Sequence, residues 1–309
     1  MNASSFELHG ALRVIGSRLC DSRGEPVMLF GMSTHGIAWF PKYIDPGTFR
    51  TLRDDWGTNC IRLVLYPHEH NGYCTGGDRE ELLDRLDRGI RYARELGLYI
   101  IVDWHVLKEE SPLVYLDDAK GFFDLISRKY GGRGDIFYEL CNEPNGRAEW
   151  SDIKSFAEQL IPIIRTNDPG SVIIVGTPTW SQDLYFALDD PLRYENIMYS
   201  LHFYAATHTE WLRDRTEECL KAGLPVFISE FGVCNSLGFG EIDEHQTAEW
   251  FALIEKYGLS HLCWSLSSNN DTSSVIRHGC TELSNWKEED LSPSGRLIRS
   301  HFRSLAGLG

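Results

Sequence analysis

The stretch YELCNEPNG, residues 138–146, is an apolar run that passes directly into Asn142, Glu143 and Pro144, and FISEFG at 227–232 repeats the device with Glu230. A carboxylate placed straight after a buried strand is costly to desolvate. Two of them at the ends of separate strands therefore point to one shared cleft and to acid/base work on one bond. Outward from these two stretches, short β-branched or apolar runs alternate with longer segments of helical period. The runs cover 27–33, 60–66, 99–105, 136–142, 172–177, 197–203, 226–231 and 261–266. Between them lie amphipathic stretches at 78–96, 117–130, 150–166 (with a kink expected at Pro162), 208–222 and 243–257. In the first of these, Leu82, Leu86, Ile90, Ala93 and Leu96 form one apolar stripe, which should pack on a sheet. Such alternation is the pattern of repeated βα units around a parallel sheet.

Eight such units in 309 residues, with no G-x-G-x-x-G after the first run, favour an α/β fold of the (β/α)8 TIM-barrel type over an open doubly wound sheet. Residues 13–19 and the chain from 27 onward, separated by Asp21-Ser22-Arg23-Gly24, read as a short N-terminal β-hairpin closing the barrel bottom. No Pro/Gly/Ser linker divides the chain, so residues 1–309 are expected to form a single domain.

The chain is 42% hydrophobic and 12% aromatic, enough for a sizeable core. Its net charge of −15, from 45 acidic against 30 basic residues, argues against nucleic acid or an anionic membrane as partner, because the field repels phosphates. A neutral substrate fits better, and a monomer is expected. There is no apolar run of membrane-spanning length, and MNASSFELHG lacks the regions of a signal peptide, so the sequence as it stands reads as soluble. Of the eight cysteines, Cys60, Cys141, Cys234 and Cys263 fall inside expected strands and read as buried free thiols. No C-x-x-C pair or tight Cys/His cluster supports zinc, and His68-Glu69-His70 reads as an ordinary polar loop. No metal or organic cofactor is required.

In a TIM barrel the chemistry collects where strands end, and the polar residues of this chain gather there. Run one ends near His35, run two carries Arg62, and run three ends at His105. Run four ends at Asn142 and Glu143, run six at His202 and Tyr204, run seven at Glu230, and run eight carries Trp264. If Arg62 and Tyr204 donate to Glu230, that carboxylate stays ionised and can act as a nucleophile. Glu143 is then the acid that protonates a leaving oxygen and later activates water. His202 joins the proton network. Trp39, Trp180 and Trp264 lie at or just past strand ends, where flat rings facing a cleft suit a saccharide.

With these residues in view, the chain resembles the glycoside hydrolase family 5 cellulases, in particular the bacterial endoglucanase branch. The resemblance runs from about residue 8 to 302. It rests on NEPNG at 142–146 and ISEFG at 228–232, with SxHGxxW at 33–39, IRLxxY at 61–66, VDWH at 102–105, VGTxTWSQD at 175–183 and LHFY at 201–204 in order. It implies a (β/α)8 barrel and endo-acting, retaining hydrolysis of β-1,4-glucan, with the acid/base on Glu143 and the nucleophile on Glu230. It also implies supporting roles for Arg62, His105, Asn142, His202 and Tyr204, Asn142 being expected to bond the sugar 2-hydroxyl. Trp264 matches the surrounding shell, and His35, Trp39, Tyr66 and Trp180 match substrate-contact positions. Work on a polymer implies an extracellular or cell-surface location. Mannan, xyloglucan, lichenan and xylan are alternative substrates on the same scaffold. A non-catalytic carbohydrate binder is argued against by the intact carboxylate pair, and a phosphate-binding metabolic barrel by the acidic balance and aromatic rim.

One departure stands out. Relatives carry a Lys and a Glu after strand eight, whereas WSLSSNNDTSS at 264–274 places Asn269 and Asp271 there. An amide replaces an ammonium as donor, which implies a weaker hold on a non-reducing-side sugar. Cys234, just past the nucleophile, stands at a further candidate contact position.

Overall fold

The structure is a computed structural model describing residues 3–308. A short helix, Ser5–His9, is followed by two short antiparallel strands, β1 (Arg13–Ile15) and β2 (Arg18–Cys20). Eight further strands follow: β3 (Phe30–Thr34), β4 (Cys60–Leu65), β5 (Tyr99–Trp104), β6 (Ile136–Glu139), β7 (Ile173–Val175), β8 (Ile197–Tyr204), β9 (Val226–Gly232) and β10 (His261–Leu266). All eight are parallel; each pairs with its chain neighbour, and β10 pairs with β3 to close the barrel. This is the expected (β/α)8 TIM barrel.

Side chains alternate across a barrel wall. In β4, Ile61, Leu63 and Leu65 join the layer beneath the helices, while Val64 belongs to a separate upper cluster with Tyr66, Tyr204, Cys234 and Trp264. The lower interior is filled by Cys60, Tyr99, Ile101, Phe137, Ile174, Met198, Phe227 and Leu262, onto which Leu12 and Leu19 of the hairpin region close. The apolar filling of the lower half leaves the upper end, where the strands terminate, for chemistry.

The hairpin differs in detail from the sequence reading. The chain reverses first at Gly16, where φ is +61°, a conformation glycine adopts without penalty. It reverses again at 21–24, where Val27 N–H donates to the Leu19 carbonyl at 2.9 Å. Because Val27 is engaged with this hairpin, the first barrel strand begins only at Phe30.

Helix Arg79–Glu95 starts where Asp78 accepts from the Glu80 and Glu81 amides, and its buried stripe of Leu82, Leu86, Ile90 and Ala93 lies on the barrel as expected. Helices Leu116–Tyr130, Glu210–Lys221 and Glu244–Tyr257 match the other amphipathic stretches. Helix Trp150–Asn167 continues across Pro162. Helix Pro293–Leu305 was not read from sequence; it buries Ile298 and Phe302, and Arg299 grips Asp55 at 2.7 and 2.8 Å. All eight cysteines are free, and seven are buried. No helix among the described residues is long and apolar enough to cross a membrane.

Candidate active site

Arg62 enters the upper barrel fully buried and organises it. Its Nε donates to Glu139 Oε2 at 2.7 Å, and Nη2 donates to Glu139 Oε1 at 3.2 Å and to Asn142 Oδ1 at 2.6 Å. Nη1 donates to Glu230 Oε2 at 3.1 Å and to Ser33 at 3.2 Å, and Asp103 lies 3.0 Å from Nη2. One guanidinium thus faces three buried carboxyl groups, an arrangement stable only if nearly every donor is used. Burial pushes Asp103 up to about 7, with Arg62 opposing. Asp103 Oδ2 meets His105 Nδ1 at 2.5 Å, and burial, with Arg62 nearby, holds the His105 pKa well below the ordinary imidazole value.

Glu230, on β9, is held from two sides. Tyr204 donates its hydroxyl to Oε1 at 2.7 Å while Arg62 holds Oε2. Tyr204 reaches it because its ring lies over Gly232, where a Cβ would stand 2.5 Å from the ring. Glu143 follows β6 on a segment whose amide donates to the Val106 carbonyl at 3.0 Å, and its Oε1 meets His202 Nδ1 at 2.9 Å. Burial pushes Glu143 up to about 8, reinforced by Asp103 and Glu139, with Arg62 opposing. Burial also raises Glu230, to about 7, but His202, Arg62 and the Tyr204 hydroxyl pull it back. The order places the proton on Glu143 before Glu230.

Oxygens of Glu143 and Glu230 and a ring nitrogen of His202 all lie within 4.8 Å of one another. That spacing could admit a cation. Each group is already engaged by protein donors or acceptors, and burial depresses His202 to about 4, so the cluster has the character of a proton network.

Aromatic rings line the approach. His105 stacks on Trp264 with centroids 5.2 Å apart, and Tyr66 meets His105 at 4.3 Å. His35 packs between Trp39 and Trp264 at 5.7 and 5.0 Å. Trp39 and Trp180 are 41% and 44% exposed, whereas Trp264 is largely covered at 8%. His70, read from sequence as loop, supports Trp39 at 4.8 Å. Trp180 is presented by three consecutive residues with φ between 54° and 60°, anchored by Trp180 N–H to the Pro144 carbonyl at 3.0 Å and Ser181 to the Asn142 carbonyl at 2.6 Å. The left-handed turn therefore ties an exposed ring to the segment bearing Glu143.

Three expected contacts take other roles. Cys234 is 0% exposed, packed in the upper apolar cluster, and does not reach the cleft surface. Asn269 Nδ2 donates to Asp271 Oδ2 at 2.6 Å, and Asp271 Oδ1 accepts from the Ser274 amide at 2.8 Å and from Ser273 at 3.0 Å. Asp271 therefore braces the loop, and exposed Asn269 shares one amide hydrogen with it. Asp103, Glu139 and Ser229 were missed as site residues. The available signal was a carboxylate in mid-strand, in VDWH and YELC, on the same inward register as His105 and the strand before Glu143.

A family model described as cellulase (glycosyl hydrolase family 5) matches residues 20–270. Endoglucanase A of Butyrivibrio fibrisolvens is 43% identical over 308 residues, covering 99% of this chain and 71% of that protein. An endoglucanase of Clostridium saccharobutylicum is 38% identical, covering 99% of this chain and 67% of that one. Among solved structures, the catalytic domain of Thermobifida fusca endoglucanase Cel5A in complex with cellotetraose superposes with a TM-score of 0.93 at 36% identity, over 97% of this chain and 100% of that one. The carboxylate-rich barrel mouth and these likenesses together assign the chain to the cellulase family, glycosyl hydrolase family 5, and make it a glycoside hydrolase.

Proposed function

We propose that the protein cuts internal β-1,4-glucosidic bonds of β-glucans by double displacement, with retention of configuration. The observation that carries this reading is the pair Glu143 and Glu230, with carboxylate oxygens within 4.8 Å. A direct nucleophile needs carboxyl groups about 5–5.5 Å apart, whereas an inverting enzyme leaves about 6.5–9.5 Å for a water. Glu230, held by Arg62 and Tyr204, attacks the anomeric carbon while Glu143 gives its proton to the departing glycosidic oxygen. Glu143 then takes a proton from water, which hydrolyses the glycosyl-enzyme. The endoglucanase names of the relatives and the cellotetraose bound to one of them support the substrate class. Trp39 and Trp180 offer stacking faces on the approach. A polymer that cannot enter cells implies work outside them.

The test is product analysis on carboxymethyl cellulose, mixed-linkage β-glucan, glucomannan, xylan and mannan, with Glu143→Gln and Glu230→Gln alongside. Rapid loss of viscosity on the glucans, absent in both variants, is expected. Preferential turnover of mannan or xylan would replace the substrate assignment, and full activity in Glu230→Gln would remove the nucleophile from it.

A further inference from the structure

Ser229 precedes Glu230 on β9, is fully buried, and has no part in the steps above. Its hydroxyl lies 2.6 Å from Glu139 Oε1, 2.9 Å from His202 Nε2 and 2.5 Å from Ser200 Oγ. A hydroxyl has one proton and two lone pairs. Glu139, gripped on both oxygens by Arg62, acts as acceptor, so the Ser229 proton goes to it. The lone pairs of Ser229 then face Ser200 and His202, and both must donate. His202 accordingly carries its hydrogen on Nε2. A neutral imidazole so arranged has a bare Nδ1, and that nitrogen stands 2.9 Å from Glu143 Oε1. The proton in this contact has to come from Glu143.

We propose that Ser229 is a positioning residue: by fixing His202 in its Nε2–H tautomer it makes Glu143 hold the catalytic proton in the resting enzyme. The inference rests on the reading of Glu143 as acid/base. The charged and titratable groups around His202 are Glu143 and Glu139 from the β6 segment, Glu230 from β9, Arg62 from β4, His105 after β5 and His208 after β8. With His202 kept neutral by burial, the tautomer is the remaining variable. The opposite tautomer would donate from Nδ1 to Glu143 and favour its carboxylate, which cannot protonate a leaving oxygen.

The experiment compares kcat/KM against pH for Ser229→Ala, Ser229→Thr, Ser200→Ala and Glu143→Gln, on cellotetraose and on 2,4-dinitrophenyl β-cellobioside, whose leaving group departs without a proton. In Ser229→Ala the alkaline limb on cellotetraose should move down by about one pH unit and the rate should fall roughly ten-fold, while the aryl glycoside is spared. Ser229→Thr, which keeps the hydroxyl, should restore the limb, and Ser200→Ala, which leaves the Ser229–His202 bond intact, should not move it. Equal losses on both substrates with an unmoved limb, or an equal shift in Ser200→Ala, would overturn the proposal. If Glu143→Gln itself hydrolyses cellotetraose normally, the acid/base reading fails instead.

Discussion

Changing Tyr204 to Phe removes a single hydroxyl, the one that donates to Glu230 Oε1 at 2.7 Å. The ring keeps its seat over Gly232, and Arg62 keeps its hold on the other oxygen, so the change isolates one hydrogen bond to a nearly enclosed carboxylate. A hydrogen bond to a charged group contributes about 1.5–3 kcal/mol, and one pKa unit corresponds to about 1.36 kcal/mol. The Glu230 pKa should therefore rise by about one to two units. Catalysis needs Glu230 ionised and Glu143 protonated, so the wild-type kcat/KM profile should be a narrow bell, falling on the acid side near pH 7 and on the alkaline side near pH 8. In Tyr204→Phe the acid limb should move up toward or past the alkaline limb, and the maximum should collapse. The assay is initial-rate hydrolysis of cellotetraose from pH 4 to 10, with enzyme stability checked at each pH. A variant whose acid limb stays in place, whatever its rate, would refute the assignment of that limb to Glu230 and the donor role of Tyr204.

Arg62→Met would leave Asp103, Glu139 and Glu230 without their shared cation, a loss of about 3–5 kcal/mol on removing one partner of a buried pair; a denaturant midpoint unchanged from wild type would show that the cluster is not held by Arg62. His261 and His301, whose Nε2 atoms lie 3.3 Å apart, are pushed by burial down to about 4 and about 3. The unfolded chain binds these protons below about pH 6.5, so stability is full above that pH and declines as pH falls toward 3. His301→Gln should flatten the decline in urea-unfolding midpoint over that range, and an identical slope would assign it elsewhere. Asn269→Lys should lower KM for cellopentaose without changing kcat, by freeing an ammonium donor beside a loop that Asp271 still braces; an unchanged KM would mean that no sugar reaches this loop.

The barrel was legible because burial on both faces turns each parallel strand into a short apolar run, and Arg62 stood out as a charge inside such a run and Glu143, His202 and Glu230 as charges or imidazoles at or near the ends of others. The helix at Pro293–Leu305 was not, since its inward positions are few and fall among arginines and serines. Asp103, Glu139 and Ser229 were hidden for a different reason: inside a barrel each is satisfied by residues from other strands, and no local pattern announces a partner 27 to 90 positions away. The mutual bond of Asn269 and Asp271 was not legible, because it depends on the loop's path, which the strand pattern does not specify. Cys234 shows the same limit, as its position after Glu230 does not reveal that Val64, Tyr66, Tyr204 and Trp264 cover it.

Azide rescue distinguishes a covalent step at Glu230, with Glu143 as its acid/base partner, from any other division of roles. Glu230→Ala and Glu143→Ala are each incubated with 2,4-dinitrophenyl β-cellobioside and azide, and the anomeric configuration of the cellobiosyl azide is read by proton NMR. The expected product is α-azide from Glu230→Ala, where azide enters the vacated nucleophile side, and β-azide from Glu143→Ala, where it intercepts the glycosyl-enzyme. The reverse pattern, or β-azide from both, would contradict that division of roles.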